Sequence, residues 1–236
     1  MPPSAEYMHL PFDEAIAFFR GKINIPTATW KDLWKTMHDR AFSVAGAMKE
    51  ELLEDLRKSI DKAISEGTTL AEFRKDFDGI VQKHGWKYKG GKGWRTAVML
   101  NTNIKVAYSM GNYARMTDPV VLKARPYLRY VASSSRNPRP EHVAWYNLVL
   151  PADDPWWDTH YPPNGWGCKC GVVNHSAREV ERITKEEKDG SHPVKTKAPK
   201  TERYTWKDKD TGKMHRIPKG IDPGWDYHPG KTGFRD

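Results

Sequence analysis

The 236-residue chain carries 39 Lys/Arg against 30 Asp/Glu, a net charge of +9, with 38% hydrophobic residues. Ten tryptophans and ten tyrosines supply large apolar surfaces that a disordered chain lacks, so a globular protein of one or two domains is expected. No stretch approaches the roughly 20 apolar residues that cross a bilayer, and "MPPSAEYMHLPFDEAIAFF" lacks the charged lead and apolar run of a secretory signal, which points to synthesis in a reducing cytosol.

Pro11 can begin a first helix whose greasy side is Ala15, Ile16, Phe18 and Phe19. After a break at "IPTATWKDLW", the pattern from Trp30 to Glu66 is helical, with a joint near Gly46; Phe42, Ala45, Met48, Leu52, Leu56, Ile60 and Ile64 recur at three- and four-residue steps. Gly67 is a natural stop. Thr69 and Glu72 form a capping box for the next helix, which carries Phe73, Phe77, Ile80 and Val81. The glycine-lysine loop "KYKGGKGW" follows a helix and lacks the phosphate-binding G-x-x-x-x-G-K-[ST] spacing. A further helix is expected over Arg95–Met116, its apolar stripe interrupted by Thr102 and Asn103.

Beyond Pro119 the character changes. "YLRYVAS", "YNLVLP" and "GCKCGVV" read as short strands, the last placing Cys168, Cys170 and Val172 on one face. Ser176 and Glu179 cap the helix "AREVERI"; the charged segment "TKEEKDGSHPVKTKAPK" reads as a mobile linker. "RYTWKDKDTGKMHRIP" reads as a hairpin turning at Asp210–Gly212, before the closing "GIDPGWDYHPG". The expected class is α+β, in three parts: a helical region over 1–90, a small mixed core with short antiparallel strands over 91–182, and a basic linker with a hairpin tail over 183–236.

The positive charge is concentrated, for residues 81–140 hold 12 Lys/Arg and one acid, Asp118. Such a block attracts phosphate or an acidic partner. The candidate contacts are Lys87, Lys89, Lys92, Arg95, Lys105, Arg115, Lys123 and Arg125, although a solvated surface fits the same pattern.

The only two cysteines, Cys168 and Cys170, stand one residue apart. A disulfide between them would close a strained ring and cross-link almost no chain. As zinc ligands they need two further groups, with His142 and His160 as first candidates and His175, Asp153 or Asp154 as others; two thiolates and two imidazoles would make a closed, structural site. The C-x-C spacing differs from the zinc-finger C-x₂₋₄-C, and two small buried hydrophobes beside Trp166 would satisfy the same residues. H-E-x-x-H and G-x-S-x-G are absent, so a non-catalytic protein is expected.

The run "RPEHVAWYNLVLPADDPWWDTHYPPNGWGCKC" resembles the hallmark segment of the Mu F-like family of phage head morphogenesis proteins, the minor head proteins. The matching positions are Arg139, Pro140, His142, Asp153, Asp154, Trp157, Pro162, Pro163, Asn164, Gly165, Cys168 and Cys170. Thr102, Asn103 and Gly111 resemble the family's Thr-Asn helix with its trailing glycine, and the N-terminal helices and "GIDPGWDYHPG" are similar too. One departure stands out: many members carry glycine five residues after the hallmark histidine, where this chain has Asn147. The resemblance implies a virion protein of the capsid interior, present in the host cytoplasm during assembly. Its implied partners are the portal protein, other head proteins and packaged double-stranded DNA. The alternatives are a DNA-binding factor for genome packaging or ejection and, more remotely, a metal-dependent nuclease or toxin-like enzyme.

Overall fold

A computed structural model describes residues 12–131, 135–188 and 190–233. The proposed helix start at Pro11 and the end of the strand "YLRYVAS" lie outside them. The chain divides into two compact units, 1–112 and 113–235, and one long helix carries the chain across position 112.

The first unit contains α1 (Asp13–Arg20), β1 (Ile23–Asn24), α2 (Met37–Arg40), β2 (Ala41–Phe42), α3 (Glu50–Glu66), α4 (Leu70–His84) and most of α5 (Lys92–Thr117). The helical stretch expected over 30–66 is interrupted at the expected joint near Gly46 and also before it. Lys35 and Gly46 adopt positive φ, and Phe42 pairs in β2, parallel to β1. Helix α3 therefore begins at Glu50, with two acids in its first turn facing the positive end of the helix dipole. It ends at the left-handed Gly67, and α4 opens on the expected Thr69–Glu72 capping box. Phe19, Leu52, Leu53, Leu56, Ile60, Phe73, Phe77, Leu100, Ala107 and Met110 make the core. A Cβ on Gly111 would come within 2.7 Å of the Ala15 backbone nitrogen, so this glycine is what lets α5 approach α1 so closely. Asn103 returns its amide to the Met99 carbonyl one turn back at 2.8 Å.

The second unit contains α6 (Pro119–Ala124), β3 (Tyr127–Val131), α7 (Pro140–Ala144), β4 (Val149–Pro151), α8 (Trp157–His160), β5 (Gly171–His175), α9 (Ala177–Glu186), β6 (Arg203–Lys207), β7 (Met214–Pro218) and α10 (Gly230–Gly233). Asp118, the lone acid of the basic block, caps α6, its Oδ1 accepting from Val120 N at 2.9 Å. Strand β3 lies between β4 and β5, antiparallel to both. Its alternation buries Leu128 and Tyr130 on one face and puts Arg129 on the other. The β6–β7 hairpin forms as expected, and the whole is α+β.

The segment read as a mobile linker is tied down in its central part. Val149 N donates to Lys195 O at 2.8 Å and Lys195 N to Asn147 O at 3.0 Å. Asn147 is fully buried at φ 60°, a left-handed conformation that glycine and asparagine tolerate best. That conformation explains why asparagine can stand where the resemblance has glycine. Its side chain also does what glycine cannot: Oδ1 accepts from Arg129 Nε at 2.9 Å, while Nδ2 donates to Glu187 Oε2 at 2.8 Å and His192 O at 2.6 Å.

Asn147→Gly and Asn147→Ala lose the same amide bonds, but only alanine bears left-handed strain. Chemical denaturation is expected to rank alanine below glycine by about 1 kcal/mol. In both variants, limited proteolysis should cut 187–195 faster than in the parent.

Candidate metal centre

Three segments far apart in sequence build the centre: 139–145, 161–170 and 220–228. Pro140 opens α7 at its first position, where a missing N–H costs nothing, and the helix buries His142. The His142 ring stacks on Trp145, 5.1 Å between centroids at 23°. Its Nε2 lies 2.8 Å from the Gly220 carbonyl. A carbonyl only accepts, so Nε2 carries the hydrogen and Nδ1 is left with its lone pair.

That lone pair faces both sulfurs. Cys170 Sγ is 3.4 Å and Cys168 Sγ 3.8 Å from Nδ1, and the three ligand atoms lie within 4.8 Å of one another. A tetrahedral zinc with ordinary Zn–S and Zn–N bonds requires N···S edges of about 3.5 Å. The two N···S distances lie near that edge, and the Gly220 carbonyl stands where metal-bound histidines take their outer support. All three residues are buried. The Cys168 thiol is held below the ordinary cysteine value, first by a hydrogen bond from Cys170 and further by the Asn164 backbone, against the opposing effect of burial. A thiolate is the form that binds metal.

The cysteines precede β5 rather than lie in it, in a turn where Cys168 N donates to Gly165 O at 3.2 Å. Here the P-P-N-G-x-G segment has its physical purpose. Asn164 is fully buried; its Oδ1 accepts from the Tyr130 hydroxyl at 2.9 Å and its carbonyl from Asp222 N at 3.0 Å. Asp222 Oδ2 accepts from Trp166 N and Arg139 Nη2, both at 2.8 Å, so one carboxylate ties all three segments. A Cβ on Gly165 would sit 2.2 Å from that oxygen.

His160 does not join the trio. Its Nδ1 lies 3.1 Å from Trp156 O, and its ring stacks on Trp156 with centroids 4.2 Å apart. Burial pushes it down to about 4. His175 ends β5 with Nδ1 3.9 Å from Glu179. Asp154 caps the turn into α8 through Trp156 N at 2.8 Å, and Asp153 is exposed. Tyr130, Asn164, Asp222 and the Gly220 carbonyl were not singled out as site groups: a backbone carbonyl carries no residue signature, and the other three act through the fold.

The basic candidates divide between the units, with Lys87, Lys89, Lys92, Arg95 and Lys105 in the first and Arg115, Lys123 and Arg125 in the second. Several are engaged internally. Arg95 lies over Trp86, 4.9 Å from its centroid, and donates to the Lys89 carbonyl at 3.1 Å and to the Ala45 carbonyl. Lys92 pairs with Asp78, and Arg125 with Glu179 at 2.9 Å and the Asn174 carbonyl at 2.8 Å. Lys105 is half-buried; Lys87, Lys89, Arg115 and Lys123 are exposed.

His228 stacks on Tyr161 with centroids 4.3 Å apart, and burial pushes its imidazole down to about 3. Unfolded chain takes up a proton at His160 and His228 near the ordinary 6.5, whereas the folded chain does not. Stability present above that pH is therefore lost as pH falls from 6.5 through 4 toward 3. Melting temperature should drop across that window, and the drop should shrink in His228→Phe.

The sequence model of the Phage Mu protein F like family matches residues 54–173. The chain is 34% identical, over 249 aligned positions covering 95% of its length, to "Putative capsid assembly protein F" of Escherichia phage Mu. It is 31% identical, over 230 positions covering 88% of its length, to the Mu-like prophage FluMu F protein of Haemophilus influenzae. The chain spans about half of each relative, 55% and 54% respectively. No solved structure matches it. The match takes in His142, the P-P-N-G turn and both cysteines, and on it the chain belongs to the Phage Mu protein F like family.

Proposed function

We propose that this chain is a minor head protein that acts in phage head assembly, inside the capsid and beside the portal vertex. The observation that carries the reading is the similarity to the Mu capsid assembly protein along 95% of this chain. The role is one of scaffolding and contact, with no catalytic step. Within it, the His142–Cys168–Cys170 trio acts as a structural zinc clamp on the second unit. The N···S spacings of 3.4 and 3.8 Å support that assignment, as does the inward lone pair of His142.

Purified protein is expected to hold close to one zinc per chain, and Cys170→Ser should lose it. Chelation should lower the melting temperature of the second unit. Metal analysis without zinc, with both thiols freely titratable in the native protein, would remove the clamp. Co-sedimentation with portal protein tests the head assignment; recovery of the two in separate fractions would count against it.

A DNA-contact role is a second reading, favoured by the loop between α4 and α5. There Lys87 and Lys89 are exposed, and Trp94 in the first turn of α5 is 64% exposed. Binding through such lysines releases counterions, so affinity for double-stranded DNA should fall linearly with salt on a log–log plot. Lys87→Ala/Lys89→Ala should flatten the slope by about 2; an unchanged slope would place the contact elsewhere.

A further inference from the structure

His142, Cys168 and Cys170 give three corners of a tetrahedron, and no other histidine, cysteine or carboxylate among the described residues joins them. His160 is not among the ligand atoms that lie within 4.8 Å of one another. The Tyr130 hydroxyl, which also contacts Cys170, is committed as donor to Asn164 Oδ1. Beside the sulfurs stands an unmet donor. Asn164 is 0% exposed, its backbone N–H donates to Cys168 Sγ, and its Nδ2 has no hydrogen-bond partner. Buried amide hydrogens without an acceptor are rare in folded proteins, and an ordered water is a usual partner for them. The charges indicate which kind. Two thiolates already neutralise a divalent ion, so a neutral fourth ligand avoids leaving net charge in a buried site.

We infer that the metal at His142, Cys168 and Cys170 takes a water molecule as its fourth ligand, the oxygen of which accepts a hydrogen bond from Asn164 Nδ2. The inference rests on the zinc-clamp reading and changes its character. The clamp is closed by solvent rather than by a second histidine, and Asn164 is a positioning residue for that water. Three protein ligands and one exchangeable one leave the ion able to accept a different neutral donor.

The test uses the full chain loaded with cobalt(II) in place of zinc. Thiolate-to-cobalt charge-transfer absorption reports whether the trio binds metal at all; its absence overturns the clamp and this inference together. With the bands present, the cobalt electron paramagnetic resonance spectrum is compared in ordinary and ¹⁷O-enriched water. Line broadening by ¹⁷O is the expected result. Charge transfer without broadening would overturn the bound water while leaving the clamp in place, and would assign the fourth corner to a protein group. In Asn164→Leu, cobalt affinity should fall about 10- to 100-fold, the loss typical of an outer-shell partner. Unchanged affinity in that variant would overturn the role of Asn164. The ¹⁷O measurement on the unmodified chain does not depend on how the variant folds.

Discussion

Gly220 gives its carbonyl oxygen to the Nε2 hydrogen of His142, and the electronic state of the centre follows from that bond. A neutral imidazole has one hydrogen and one lone pair. Fixing the hydrogen outward turns the lone pair inward, toward two sulfurs that approach from a different segment. Without the carbonyl the ring could flip, and the sulfurs would face a donor instead of an acceptor. The stacked Trp145 ring adds a steric limit, confining the imidazole plane while the hydrogen bond selects its direction. Orientation and tautomer are thus set by different neighbours, one aromatic and one polar.

Around this bond the second unit is knitted by a small number of well-placed polar groups rather than by apolar volume alone. Asp222 receives Arg139 from α7 and the Trp166 amide from the cysteine turn, and its own amide reaches Asn164. The Asp222 carboxylate, the Arg139 guanidinium and the Trp166 and Asp222 amides each meet a partner, which is the condition for burying such groups without a large penalty. On the opposite face of β3, Asn147 performs an equivalent service for Arg129, Glu187 and the segment through Lys195. The central strand therefore separates two polar networks, with Leu128 and Tyr130 on one side and Arg129 on the other.

Much of this was legible in the residues. Both capping boxes, the hairpin and the α3 and α4 faces follow from local spacing; residue chemistry named His142 among several candidate partners for the two cysteines without choosing between them. What was hidden depended on pairings distant in sequence. The helical spacing of Phe42 and Ala45 is genuine, but left-handed turns at Lys35 and Gly46 redirect that stretch. His160 has the composition of a ligand, yet it stacks on Trp156 and is not among the ligand atoms grouped around the sulfurs. The segment 184–200 has the composition of a linker, and only a buried Asn147 many residues upstream shows why part of it is held. Gly220 was invisible for the most general reason: its contribution is a main-chain atom.

The placement of Gly220 bears on the order of events during synthesis. Residues 139–145 and 164–170 leave the ribosome together, yet the imidazole they share with the sulfurs stays free to turn until residue 220 emerges. Domains tend to settle as whole units while they are being made, and here the final closure waits on a late part of the sequence. A chain ending before that point would lack the carbonyl that orients the imidazole toward the two sulfurs. Competence of the second unit is thereby linked to the progress of translation itself.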